Sequence, residues 1–173
     1  MSYKFNTIKP SEIENKVEKS IKLLLKNDSF LLHSNAHERS ITHKLAEYLQ
    51  SEFIEFNVDC EYNRRGHKSP KKLMDWEETY KDEIKKDEEK VKNVFPDIIV
   101  HLRGKDFNLL VIEVKKSFNN DSGDSDKDKI KAFRSELGYK FGLFLNFETN
   151  NKASIKVFEW FPKEKFKKRD NDD

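Results

Sequence analysis

Apolar residues at Ile13, Val17, Ile21, Leu24 and Leu25 recur at helical spacing and predict an amphipathic helix over residues 11–26. Asn27, Asp28 and Ser29 interrupt it. A second stripe, Ile41, Leu45, Tyr48, Leu49 and Phe53, predicts a helix entered at Ser34 or Asn35, both good caps. The period then shortens to alternation, with Val58, Cys60 and Tyr62 on one side of a strand over residues 57–63. Two more strands are expected over 94–102 and 107–116, joined by a turn that contains Gly104. The second carries Leu109, Leu110, Val111 and Ile112 in unbroken succession, the pattern of a strand covered on both faces. Polar residues over 119–128 read as a loop, and Ile130, Phe133 and Leu137 predict a helix over 124–137 that Gly138 stops with a left-handed cap. Alternating strands over 139–147 and 153–161 follow, and the charged tail 163–173 is expected to fray.

Between the first two strands lies residues 64–93, which the apolar pattern leaves almost unmarked. Its charged second half reads as a solvated helix inserted into the fold, supported by oppositely charged residues four apart. Its first half is a basic loop, Arg64, Arg65, Lys68, Lys71 and Lys72, suited to a nucleic-acid backbone.

Composition adds limits rather than a partner. A chain of 173 residues suits one domain. The 34 basic side chains nearly cancel 32 acidic ones, so affinity for nucleic acid must come from local patches and not from a global field. Cys60 is the only cysteine, which excludes an intrachain disulfide and favours a reducing, cytoplasmic setting; it reads as a buried structural thiol. No signal peptide or membrane span is expected. Five histidines show no paired metal spacing on one firm element, and there is no Gly-rich phosphate loop or Ser-His-Asp pattern.

The candidate chemistry lies on the two middle strands. In a hairpin centred on Lys105, residues equidistant from the centre face each other, and Asp97 and Glu113 are such a pair. Opposed residues have Cβ atoms roughly 4.5–5.5 Å apart, close enough for two carboxylates to share a cation. Glu113 and Lys115 share a strand face, expected to be the face of Leu109 and Val111. Two acids and a lysine ending an apolar strand are costly to desolvate, and a bound cation or an ion pair is the usual compensation. Oxygen donors of this kind select Mg²⁺ or Mn²⁺, held by Asp97, Glu113 and the Val114 carbonyl. Lys115 would then orient the attacking water or stabilise the transition state. A strand-end salt bridge from Glu113 to Lys115 or Lys116 is the alternative.

Phe95-Pro96-Asp97, followed one strand later by Glu113-Val114-Lys115, resembles the PD-(D/E)xK motif of the restriction-endonuclease-like nucleases. The order helix, strand, strand, strand, helix, strand is similar to that superfamily's common core, over roughly residues 34–147. The resemblance implies an α/β fold with a central mixed sheet of about five strands flanked by helices, the core spanning about 34–161 of a single domain. It also implies a Mg²⁺- or Mn²⁺-dependent nuclease acting on DNA more readily than RNA, with a homodimer as one way to cut two strands. An acid on the preceding helix often joins such sites. Glu38 matches that place, with a capping box between Asn35 and Glu38 as the competing role; Glu47 falls off the stripe. Basic contacts to nucleic acid would be Lys116, Lys129, Arg64, Arg65 and Lys68, although Lys129 and Lys127 also suit a solvated helix face. Glu61 and His37 read as surface residues near the site. Two other functions fit the same fold: a binding module without catalysis, and a subunit of a larger defence or repair complex.

Overall fold

The computed structural model describes residues 8–62, 64–65, 69–70, 73, 78–80, 95–117, 122–149 and 153–166. Three helices open the chain: α1 (Pro10–Asn27), α2 (Ser29–His33) and α3 (Glu38–Glu52). The stripe residues Ile13, Val17, Ile21 and Leu24 of α1 and Ile41, Leu45 and Leu49 of α3 are buried in one cluster. Each such side chain contributes roughly 1.5–3 kcal/mol by leaving water. Asp28 ends α1 as the polar break requires, but the chain resumes helix at once in α2, an element that the apolar pattern did not mark. Asn35 then takes a left-handed φ of 51° instead of capping a helix. His37 is the N-cap of α3 and makes no side-chain cap bond, so the expected capping box between Asn35 and Glu38 is not formed. Glu38 is instead the first residue of α3, and its carboxylate is left for another partner.

Next comes β1 (Asn57–Cys60), then a separate two-stranded hairpin of β2 (Arg64–Arg65) and β3 (Ser69–Pro70). The strand expected over 57–63 stops early because Glu61 adopts φ 48°. That residue breaks the alternation, and Tyr62 packs with the cluster opposite to the one that Val58 and Cys60 join. Within the inserted segment, Leu73 is fully buried. Lys68, Lys71 and Lys72, and most of the charged helix expected there, lie outside the described residues.

The middle of the fold is β4 (Ile98–His101) and β5 (Asn108–Lys116), followed by α4 (Asp124–Leu137), β6 (Phe141–Glu148) and β7 (Ser154–Phe161). Five strands make one mixed sheet in the order β1-β4-β5-β6-β7. Neighbours are antiparallel except β5 and β6, which run parallel because α4 carries the chain back across the sheet. The helices flank both faces. Ile98, Val100, Ile112 and Val114 meet the α1–α3 side, whereas Ile99 and Val111 meet Ile130, Phe133 and Leu137 of α4. This is an α/β protein with a five-stranded mixed sheet between helices, and no helix among the described residues is long and apolar enough to cross a membrane.

The β4–β5 register keeps the symmetry about Lys105 for Ile98↔Ile112, Ile99↔Val111 and Val100↔Leu110. It slips at His101↔Asn108, where β5 holds one extra residue. That irregularity turns Leu109 to the α1–α3 side, so it does not share the face of Val111 as the alternation predicts. Two glycines set α4. Gly138 closes it at φ 69°, and Gly123 opens it at φ 67°. A Cβ at Gly123 would stand 2.3 Å from Phe144 Cζ, so only glycine lets the start of α4 lie this close to β6. At the other end of the chain, a 3₁₀ turn (Lys163–Lys165) brings Phe166 into the core, stacked on Trp160 at 4.1 Å between ring centroids. Fraying therefore does not begin at Lys163, because an aromatic residue three positions on finds a buried partner.

Candidate functional site

Strand β5 is buried from Leu109 to Val114, and the burial includes Glu113, whose side chain is 1% exposed. The alternation of the strand aims Glu113 at the α4 side, level with Phe144 of the neighbouring strand. Asp97 sits one residue before β4, where the observed register continues to Glu113. Its Oδ2 accepts a 2.7 Å hydrogen bond from the Val114 amide, satisfying a β5 donor just beyond the paired part of β4. Glu38 arrives from the start of α3, and its Oε2 accepts from the Lys116 amide at 3.2 Å. Three of the predicted acids thus converge on the end of β5, each from a different element.

Helix α4 adds a fourth acid and a lysine. Lys129 Nζ donates to Glu113 Oε2 at 2.7 Å, and Asp126 Oδ2 lies 3.3 Å from Lys115 Nζ. The lysine side chain is only 14% exposed, so it belongs neither to a solvated helix face nor, in this arrangement, to an open phosphate contact. Asp126 was not singled out by the sequence reading. The signal was present: residues 126, 130, 133 and 137 share one helical stripe, and a polar residue that prolongs a buried stripe points inward.

The electrostatics follow from counting charges. Four carboxylates, Glu38, Asp97, Glu113 and Asp126, act on one another, and two ammonium groups, Lys115 and Lys129, oppose them. Burial pushes the Glu113 carboxyl well above its ordinary range; Lys129 opposes that rise and Asp97 adds to it. Burial likewise raises Asp97, against Lys129 and the Val114 amide. Glu38 is raised by burial and then by the charge of Asp97. Burial would lower the Lys129 ammonium, but Glu113 and Asp97 outweigh it and raise its pKa. Glu113 Oε1 is buried and has no hydrogen-bond partner among the described residues.

The other predicted residues are placed as follows. Lys116 turns away, with its Nζ donating to Asn35 Oδ1 at 3.0 Å and to the Ala36 carbonyl at 2.8 Å, which ties the loop before α3 to β5. The side chains of Arg64 and Arg65, and all of Lys68, lie outside the described residues. Glu61 pairs with Arg39 at 2.9 Å on the surface, and Glu47 pairs with Lys44 and His43 on the exposed side of α3. His37 is exposed. Lys127 reaches Glu159 on β7 at 3.4 Å. Cys60 is half-buried, and burial pushes its thiol up to about 11, which makes it unreactive at neutral pH.

Hard oxygen donors and an unsatisfied buried carboxylate oxygen suit a divalent cation. Among the described residues, however, no three acidic, histidine or cysteine side chains already stand in a coordinating arrangement. A second charged cluster occupies the far end of β4, where Asp59 accepts from Arg103 Nε at 2.8 Å, pairs with Arg103 Nη2 and lies 2.8 Å from His101 Nε2. There, burial would raise the Asp59 carboxyl, but the hydrogen bonds from Arg103 and His101 prevail and lower it. No protein-family model matches the chain, and no curated protein or solved structure is significantly similar to it.

Proposed function

We propose that this chain is a metal-dependent phosphodiesterase with a restriction-endonuclease-like core, hydrolysing the backbone of nucleic acid, DNA rather than RNA, in a cytoplasmic setting. The observation that carries the reading is Glu113: an acid 1% exposed, at a strand end among three other acids, with one oxygen unpartnered among the described residues. Buried acids of this kind are retained where a cation is taken up, because they cost stability otherwise. Asp97, Glu113 and Glu38, with the Val114 carbonyl, are the residues that would hold Mg²⁺ or Mn²⁺. Bound there, the ion supplies a water of lowered pKa and neutralises a phosphate oxygen.

The chain's own groups account for the rest. Asp126 holds the Lys115 ammonium at the mouth of the site, where it orients water or meets charge developing on phosphate. The Val114 amide fixes the Asp97 carboxylate, and the Lys116 amide fixes that of Glu38. The test is cleavage of DNA by the purified chain with Mg²⁺. Glu113→Ala and Lys115→Ala should each lower the rate by about 10²–10³-fold, the usual cost of losing one group that acts on the transition state. Activity that survives both substitutions sinks the proposal.

A second reading is favoured by the Lys129–Glu113 pair, which already supplies part of the missing positive charge. On that reading the chain binds nucleic acid or a protein partner without cutting. Calorimetry with Mn²⁺ separates the two, since a binder needs no cation at Glu113.

A further inference from the structure

Lys129 is placed where a cation would gain most. Its ammonium is 2.7 Å from Glu113 Oε2 and is acted on by Asp97 and Asp126 as well. As a packing element it is a poor choice. Taking a lysine and a glutamate out of water costs several kcal/mol per ion, and apolar side chains of similar volume often serve stability as well or better. Nor does it satisfy the site: Glu113 Oε1 stays unpartnered among the described residues, and four acids still face two ammonium groups. Among the described residues, two negative charges stay uncompensated even with Lys129 counted.

We infer that Lys129 is a tethered counter-ion, which occupies Glu113 in the cation-free chain and must leave it when a divalent cation enters. This rests on the cation site proposed above and adds a competitor to it. The lysine has somewhere to go. Asp126 lies three residues before it on α4, a spacing at which side chains on one helix face meet. The Lys129–Glu113 bond and the divalent ion are therefore alternatives, and the ion's apparent affinity is reduced by the strength of that bond.

The experiment is calorimetric titration of Mn²⁺ into the full chain and into Lys129→Met, Lys129→Gln and Lys129→Arg, with thermal unfolding of each with and without Mn²⁺. Removing the competing charge should raise Mn²⁺ affinity about tenfold or more in the Met and Gln variants, a change worth roughly 1.4 kcal/mol. The Arg variant, which keeps the charge, should stay within a few-fold of the native chain. Mn²⁺ should also raise the melting temperature of the Met and Gln variants by more than it raises that of the native chain. Gln retains a donor to Glu113, so it guards against a Met variant that does not fold. A variant that folds only with Mn²⁺ supports the inference, since the ion then replaces the lost ammonium; failure of both the Met and the Gln variant to fold even with Mn²⁺ shows a purely structural lysine and overturns it. Native binding with equal or weaker binding in both variants overturns the role of Lys129 and leaves the cation site standing. Binding by the variants but not by the native chain supports the competition and overturns the metal-dependent activity of the native chain. No binding by any of them overturns both.

Discussion

Two charged clusters lie at the two ends of β4, on the same face of the sheet, with Ile99 between them. His101, at one end, joins Asp59 and Arg103; Asp97, at the other, joins Glu113, Glu38 and the α4 pair. Asp97 and His101 are four residue steps apart, roughly 13 Å at 3.3 Å per step. At the first, one carboxylate meets two basic partners and its pKa falls. At the second, acids outnumber lysines, and the pKa values of Asp97, Glu113 and Glu38 rise. Among the described residues, the same strand thus carries an ion pair that is complete and one that is short of positive charge. Burial alone does not separate them, because the Asp59 and Glu113 carboxylates are both largely withdrawn from water. The balance of charge does: the first cluster is closed by its own partners, and the second is the one at which we propose that a cation binds.

The sharpest way to break that contrast is to remove Lys129. Lys129→Ala leaves Glu113 buried without its partner and should cost about 3–5 kcal/mol of stability in cation-free buffer, measured by urea unfolding. A loss below 1 kcal/mol would mean that the ammonium matters little to the folded chain. Asp59→Asn comes next, at about 2 kcal/mol near pH 7, since it discards charge-assisted bonds to Arg103 and His101. Its pH dependence has a definite sign. The folded pKa of Asp59 lies below the unfolded value of about 3.9, so its contribution is fully present above that value and is lost as pH falls through the folded one. Native and Asp59→Asn stabilities should therefore converge as the solution is acidified below about pH 4. Arg103→Gln should cost less, about 1 kcal/mol, because that side chain is 55% exposed and screened by solvent. Smallest is Glu113→Gln: Lys129 keeps the charges of Asp97 and Asp126 and the amide oxygen can still accept from it, so the cation-free chain should lose less than about 1 kcal/mol. If Glu113→Gln destabilises as Asp59→Asn does, the two clusters are of one kind.

Much of this was legible in the sequence. The symmetry of Asp97 and Glu113 about Lys105 placed the two acids together, and the paired residues Ile98 and Ile112 keep that symmetry to the end of β4. It failed nearer the turn, where the extra residue of β5 sends Leu109 to the opposite face; nothing in a run of four apolar residues marks which one is surplus. Glu38 was found from its helix but with a capping alternative, which left-handed Asn35 removes. The partners of the acids were harder. Lys129 and Asp126 lie among alternating charges on α4, where composition reads as solvent-facing, and only continuation of the Ile130, Phe133 and Leu137 stripe shows that they turn inward. Lys116 was indistinguishable from Lys115 by type; alternation along β5 sends one to each side. The complete cluster of Asp59, His101 and Arg103 had no local signature, because its members lie on two strands and a turn separated by some forty residues.

The contact between Gly123 and Phe144 bears on how this chain can change over generations. Any side chain at position 123 would meet the Phe144 ring 2.3 Å away, in a backbone conformation that side chains already avoid. A single substitution there is opposed twice, by space and by φ, and the Phe144 ring would have to move first to open the way. The acids and lysines on either side carry no such double lock, and each can be exchanged for a residue of similar size. The charges of this cluster are therefore open to exchange one at a time, while the close approach of α4 to β6 depends on the absence of a side chain at position 123.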